Sequence, residues 1–283
     1  MTTPLIGGVS ELADGYRGFV LDVWGVLHEG GAVFPGALDA LSRLRQMGKR
    51  VVLLSNAPRR AARVAATLKD KGLGEALYDG LITSGDATRD ALARRERLGL
   101  GPRYAALGPE RDASLLDGLP LTKVRALEDA DFVLCTGPIR ETDALEAYDE
   151  FLARMAARRL PLVCANPDTE VVRLGRRELC AGALARRYSA RGGPVLEFGK
   201  PHEEVYRLCL ETLKLDRAEV LALGDGLATD IAGAAQAGIP AVLVLSTLHD
   251  DLRLGQGYDG ALLETRCQAA GVRPLAALPA FAW

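Results

Sequence analysis

Short apolar runs, each closed by a polar residue or a turn former, recur along the chain with amphipathic segments between them. The first, over residues 18–27, is β-type and breaks at Gly25 and again at Gly30-Gly31, the pattern of a strand feeding a tight turn and a small hairpin. Pro35-Gly36 then opens a segment in which Leu38, Leu41, Leu44 and Met47 fall at helical spacing before Gly48 ends it. Residues 50–54 supply a second apolar strand, so strand, helix and strand form a βαβ unit. After Ser55-Asn56, Pro58 fits the first turn of a helix over 60–71 stopped by Gly72, and residues 81–83 read as a third strand.

From about residue 85 to 193 the alternation starts afresh, with strands over 104–107, 132–135 and 162–165 and a helix over 143–158. The first pattern resumes at residues 197–199. It runs through a helix over 202–213, a strand over 220–223, a small-residue helix over 232–237 closed by Gly238, and a strand over 241–245. This order predicts an α/β protein in two parts: a Rossmann-like parallel-sheet core of residues 1–84 and 194–283, and an α/β domain of residues 85–193 inserted into it.

Composition narrows the function classes. The 283 residues are 48% hydrophobic, enough for a sizeable core, and the net charge of -2 gives no broad basic field for nucleic acid or anionic lipid. No run approaches the roughly 18 apolar residues of a membrane span, and residues 1–18 lack a cationic start followed by an apolar stretch. A cytoplasmic protein with a small-molecule partner, and neither nucleic acid nor membrane, is expected. The cysteines, Cys135, Cys164, Cys180, Cys209 and Cys267, are odd in number, lack paired-ligand spacing and read as buried thiols.

The candidate chemistry sits where strands end. Asp22, Ser55 and Asp225 close apolar runs, and open α/β sheets gather such residues along the carboxyl edge of their strands. With Lys200 and Asp230 they make three acids beside one lysine, a set suited to Mg²⁺ holding a phosphate. A carboxylate at position 22 can attack phosphorus and divide one difficult transfer into two steps. Ser55, the Asn56 backbone or amide, and the N–H groups of the helix that follows would hold phosphoryl oxygens, and Lys200 would offset charge on nucleophile and phosphoryl group alike. Asp225 beside Asp22 would bind the metal directly, with Asp230 orienting metal-bound water. Each residue alone has a plainer reading, as a turn former, an N-cap or a surface lysine, and Thr229-Asp230 also fits a helix cap.

Taken together, Asp22, Ser55, Lys200 and the Asp225/Asp230 pair resemble, in order, the four motifs of the haloacid dehalogenase (HAD) superfamily of aspartate-nucleophile phosphohydrolases. The insertion, carrying Asn166-Pro167-Asp168 and followed by Gly199-Lys200-Pro201, resembles the class II caps of the class IIA subgroup, which includes the N-acetylglucosamine-operon and nitrophenyl phosphatases. The resemblance implies that Mg²⁺ is held by Asp22, the main chain of Trp24 and Asp225, with Asp230 in or just outside its coordination sphere. It also implies that Asn166 and Asp168 reach down from the cap to read the substrate, and that caps of this kind pair into homodimers.

One position departs from the family. Where its phosphatases carry a second Asp two residues after the nucleophile, this chain has Trp24, whose indole only donates. The acid–base step so lost is worth about 10² to 10⁴ in rate, roughly 3 to 5 kcal/mol. His28 or Glu29 on the following loop, or a cap residue, would have to substitute; Trp24 itself would pack over the substrate. Two functions follow as expectations: a Mg²⁺-dependent phosphohydrolase of a small phosphorylated metabolite, such as a sugar phosphate or nucleotide, or a catalytically impaired relative that binds a phosphorylated ligand or regulates a partner. A dinucleotide oxidoreductase is disfavoured, because Gly224-Asp225-Gly226 opens no G-x-G-x-x-G fingerprint. Asp86 is a weaker candidate, and His202 and His249 read as ordinary polar residues.

Overall fold

The structure, a computed structural model, describes residues 3–254 and 257–283. Its strands in chain order are β1 (Gly18–Asp22), β2 (Arg50–Ser55), β3 (Gly80–Thr83), β4 (Arg103–Leu107), β5 (Thr122–Lys123), β6 (Phe132–Cys135), β7 (Leu162–Cys164), β8 (Glu170–Arg173), β9 (Arg176–Leu179), β10 (Val195–Glu197), β11 (Val220–Gly224), β12 (Ala241–Val244), β13 (Arg253–Leu254), β14 (Gly257–Tyr258) and β15 (Ala276–Leu278). Six of them form one parallel sheet in the order β15-β12-β11-β1-β2-β3. A second parallel sheet, β10-β7-β6-β4-β5, is built from the stretch between.

The apolar runs are continuous because both faces of the first sheet are covered. Phe19, Leu21, Val51, Leu53, Leu221 and Leu223 bury one face under the helix Pro35–Gln46 and its neighbours. Val20, Val52, Leu54, Val220 and Ala222 bury the other against the helices Glu203–Leu213 and Ala232–Gln236. In register, Val20 lies between Val52 and Ala222, so β1 is central and Asp22 emerges mid-edge. All five cysteines are buried, with free thiols. Among the described residues, no helix is long and apolar enough to cross a membrane.

Two expectations change, and one element has no counterpart in the sequence pattern. Val195–Glu197 pair with β7 in the second sheet, so the chain leaves that sheet after residue 197 and the expected seam at 193/194 cuts inside it. Two charged four-residue stretches form an antiparallel hairpin, β8–β9, with the alternating charges of Glu170, Arg173, Arg176 and Glu178 in place of the apolar run that marks a strand. The expected small hairpin after Gly25 is instead a compact loop, closed by Gly25 N–H on His28 O (2.9 Å) and Phe34 N–H on Leu27 O (2.8 Å).

Where the chain first crosses from one sheet to the other, fully buried Ser84 donates its hydroxyl to Ala165 O (2.6 Å), with Ala57 O also in reach (3.1 Å). Ser84→Ala leaves those carbonyls without that donor. Urea unfolding should report a loss of about 1–3 kcal/mol, the cost of stranding a buried polar group; an unchanged midpoint and slope would remove the claim.

Candidate active site

The carboxyl edge of the six-stranded sheet brings the expected residues together around one ammonium. Lys200, 1% exposed, donates from Nζ to Asp22 Oδ1 (2.5 Å) and to Asp230 Oδ1 (2.8 Å). Burial alone would pull its pKa down, but Asp22, Asp230 and Asp168 outweigh burial and hold the ammonium charged. Asp22 is pushed well above the usual carboxylate range, first by burial and then by Asp230, against the pull of Lys200. Burial and Asp230 likewise push Asp225 up to about 7, with a Ser246 hydrogen bond opposing.

Asp230 holds its loop as well as the lysine. Its Oδ2 accepts from Gly226 N–H (3.2 Å) and Thr229 Oγ1 (3.3 Å), and Ile231 N–H reaches back five residues to Gly226 O (3.0 Å) in a widened turn. The carboxylate of Asp230, rather than the expected Thr229 hydroxyl, therefore caps this end. Asp225 is fixed from elsewhere: Ser246 Oγ donates to its Oδ2 (2.6 Å) and His249 Nε2 donates to its backbone O (2.7 Å). The reading of His249 as an ordinary polar residue is corrected, and Ser246 joins it. Both sit in the loop leaving β12, the strand beside β11, and sheet order is the one signal that points to them. Gly25 has φ +81°, and a Cβ there would lie 2.0 Å from Asp225 Oδ2, so only glycine lets this carboxylate approach the loop after Asp22.

Carboxylate oxygens of Asp22, Asp225 and Asp230 lie within 4.8 Å of one another. Three acids against one ammonium leave excess negative charge, and an all-oxygen donor set fits a hard divalent cation. The upward push on Asp22 and Asp225 comes first from burial and then from the neighbouring Asp230.

The remaining expected residues divide. Ser55 Oγ accepts from Ala57 N–H (3.2 Å), which leaves its O–H free to donate. The helix expected beside it starts only at Ala61, whose N–H is taken by Asp86 Oδ2 (2.7 Å), so that donor is spent on Asp86, which acts as a cap. Asn56 spends its amide on scaffolding: Oδ1 accepts from Lys200 N–H (2.8 Å), and Nδ2 donates to Lys200 O (3.1 Å) and Asp168 Oδ1 (2.9 Å). This corrects its assignment as a side-chain phosphate ligand. Asn166 Oδ1 accepts from Asp168 N–H (3.1 Å), shaping the cap turn that sets Asp168 against Asn56, and burial raises the pKa of Asp168.

His28 is not placed as a substitute acid. Its Nδ1 accepts from Gly30 N–H (3.0 Å), and burial, helped by Lys71 and Arg173, lowers its pKa to about 4. At neutral pH it is an uncharged brace within its own loop. Glu29 does line the site cavity and accepts from Thr247 Oγ1. His202 is exposed, near Glu197, and takes no part.

Two cavities meet over Asp22. One, of about 340 Å³, takes in Asp225, Asp230, Glu29 and Arg177; the other, of about 120 Å³, takes in Ser55, Asn56, Asn166 and Arg173. Asp22, Trp24, Asp168 and Val171 line both, so a group seated on Asp22 faces the acid cluster on one side and Ser55 on the other.

Residues 19–121 match the family model described as haloacid dehalogenase-like hydrolase, and residues 197–261 match a second, HAD-hydrolase-like model. Chronophin of Mus musculus is 30% identical over 260 residues, covering 86% of this chain and 85% of that protein. Ribonucleotide monophosphatase NagD of Escherichia coli is 28% identical over 238 residues, covering 81% and 88%. Among solved structures, a haloacid dehalogenase-like hydrolase from Brucella suis superposes with a TM-score of 0.85 at 35% identity, covering 98% of this chain and 100% of that one. A glycerol phosphate phosphatase from Mycobacterium tuberculosis, in complex with magnesium, superposes at 0.62 with 27% identity, covering 82% and 68%.

The raised carboxyl groups give the metal-free protein a pH signature. Asp225 binds its proton more tightly folded, at about 7, than unfolded, at about 3.9. Its contribution to stability is therefore complete below about pH 4 and lost as pH rises through 7. In chelator, the melting temperature should fall between pH 5 and 8, and added divalent cation should restore progressively more of it over the same window, because the metal takes the deprotonated ligands. A chelated protein that gains stability from pH 5 to 8 would contradict this.

Proposed function

The chain belongs to the haloacid dehalogenase-like hydrolases and is a hydrolase of the phosphatase type, and we propose that it cleaves a small phosphorylated metabolite with Mg²⁺ through an aspartyl-phosphate on Asp22. The observation that carries this reading is the Lys200 ammonium bridging Asp22 Oδ1 and Asp230 Oδ1 inside a cluster of three carboxylates that opens into a cavity.

Each residue has a task that its contacts support. Lys200 holds one oxygen of Asp22 and leaves the other for the nucleophilic role. That oxygen bonds to phosphorus as the bond to the leaving oxygen breaks, the leaving oxygen keeping the electron pair and taking a proton from solvent; water then attacks phosphorus, giving a proton to solvent, and the bond to Asp22 breaks, releasing phosphate and restoring the carboxylate. Ser55 donates its free O–H to a phosphoryl oxygen. Asp22, Asp225, Asp230 and the main-chain carbonyl of Trp24 would hold the cation, which supplies charge neutralisation at the phosphoryl oxygens. Ser246, His249 and Asn56 keep these groups in place.

A small substrate agrees with the size of the cavity and with the named substrates of two relatives, a ribonucleotide monophosphatase and a D-glycerol 3-phosphate phosphatase. The reading as an impaired binding protein rests on Trp24 alone, and the intact nucleophile, lysine and acid cluster disfavour it.

The test is release of nitrophenol from p-nitrophenyl phosphate. Turnover should require a divalent cation and vanish in Asp22→Asn. Because Trp24 cannot protonate a leaving oxygen, an alkyl phosphate should be slower by about 10² or more, the usual worth of a general acid. Release that survives Asp22→Asn sinks the nucleophile assignment; cation binding by the native chain without any release would favour the binding protein.

A further inference from the structure

Trp24 makes contacts that its position beside the nucleophile does not require. Its indole Nε1 donates to Val172 O in β8, across from core to cap (2.8 Å). The guanidinium of Arg173 lies 4.5 Å from the centroid of the same ring, and Arg173 Nε is held by Glu178 Oε2 in β9 (2.8 Å), so the cation is set on the hairpin before it meets the indole. The next residue, Leu174, donates its N–H to Glu29 O (3.1 Å).

The loop over residues 24–31 is shaped to receive this hairpin. Gly30 has φ +94°, and a Cβ there would press on Arg173 Cγ at 3.2 Å and on Trp24 Cη2 at 3.4 Å; a Cβ on Gly31 would meet Leu174 Cδ2 at 3.3 Å. Lys71 Nζ donates to Gly30 O (2.8 Å) and holds the loop from behind. His28 stands edge-on to the indole, ring centroids 5.1 Å apart, with its Nδ1 tied to Gly30 N–H. The glycine pair and His28, which the proposed chemistry leaves unused, thus serve one purpose.

We propose that Trp24 is a positioning residue that latches the β8–β9 hairpin of the cap onto the core and, as a wall of both cavities, restricts the leaving groups that fit over Asp22. The acid that the family places here is exchanged for a clasp: the indole cannot swing aside for a bulky group without breaking its bond to Val172 and its contact with Arg173. Only the kinetic half of this inference rests on the phosphatase reading; the latch itself is measurable without turnover.

Hydrogen exchange followed by mass spectrometry on the full chain tests it. Trp24→Phe keeps a ring and removes the donor, and Arg173→Gln removes the cation. Each should speed amide exchange over residues 170–179 by about three- to tenfold, the weight of one such contact, and leave β1, β2 and β11 unchanged. Unaltered exchange in the hairpin, or acceleration spread through the core strands as well, would overturn the latch. As the second readout, the kcat/KM ratio of 1-naphthyl phosphate to phenyl phosphate should rise at least about threefold in Arg173→Gln; Arg173 lines the smaller cavity, and the proposed site assigns it no contact with cation or phosphate. A loosened hairpin with an unchanged ratio would overturn the role in selecting leaving groups, and an inactive native chain would count against the phosphatase reading and leave the exchange result standing.

Discussion

A fully buried ammonium wedged between two carboxylates governs the architecture around it. Lys200 has left water, and an unpaired charge in such a place costs several kcal/mol, so Asp22 and Asp230 must both arrive for the fold to be tolerable. Three distant parts of the chain meet on that condition: the end of β1, the loop after β11, and the return from the second sheet. Asn56 at the end of β2 adds a fourth by gripping the lysine's own backbone at both its N–H and its C=O. The pair is poor evidence for extra stability, since an apolar replacement of similar volume is often as stable. Its presence is better understood as holding Asp22, the proposed nucleophile, in one orientation.

Much of this was legible in the sequence because burial on both faces of a parallel sheet writes itself as unbroken apolar runs. The residue that ends such a run, as Asp22 and Ser55 do, necessarily stands at the sheet edge. Lys200 and Asp230 end no run, and in the sequence only the order of motifs points to them. What stayed hidden has a common cause. The β8–β9 hairpin is four residues a side, charged and only partly buried, so its strands carry no periodic apolar signal. Ser246 and His249 reach Asp225 across the sheet order, at separations of 21 and 24 residues that local pattern does not encode. Asn56 directly follows β2 beside the acid cluster, but its amide serves the Lys200 backbone, because hydrogen-bond direction belongs to packing.

Trp24 shows how one substitution redistributes work among its neighbours. An aspartate there adds a fourth negative charge to a crowded cluster, whereas an indole adds none and brings a ring large enough to span from core to cap. In the proposed chemistry the cost falls on proton transfer to the leaving oxygen, and the return is a cap surface joined to the loop after Asp22. His28, neutral and edge-on to the indole, and Gly30, whose missing Cβ makes room for Arg173, are intelligible only as companions of that exchange.

The edge strand of the second sheet ends at Glu197, three positions before the lysine. Inserted domains of this kind invite transplantation between scaffolds, with the seams drawn where the sequence pattern changes. Here a graft cut at residue 193/194 would separate β10 from the sheet it completes and leave the recipient's own strand, on the tether to its lysine, to pair with a foreign sheet. The workable seam lies within Phe198-Gly199, and Gly199, at φ +118° with its missing Cβ facing Asn56 Oδ1 at 2.5 Å, has to travel with the host.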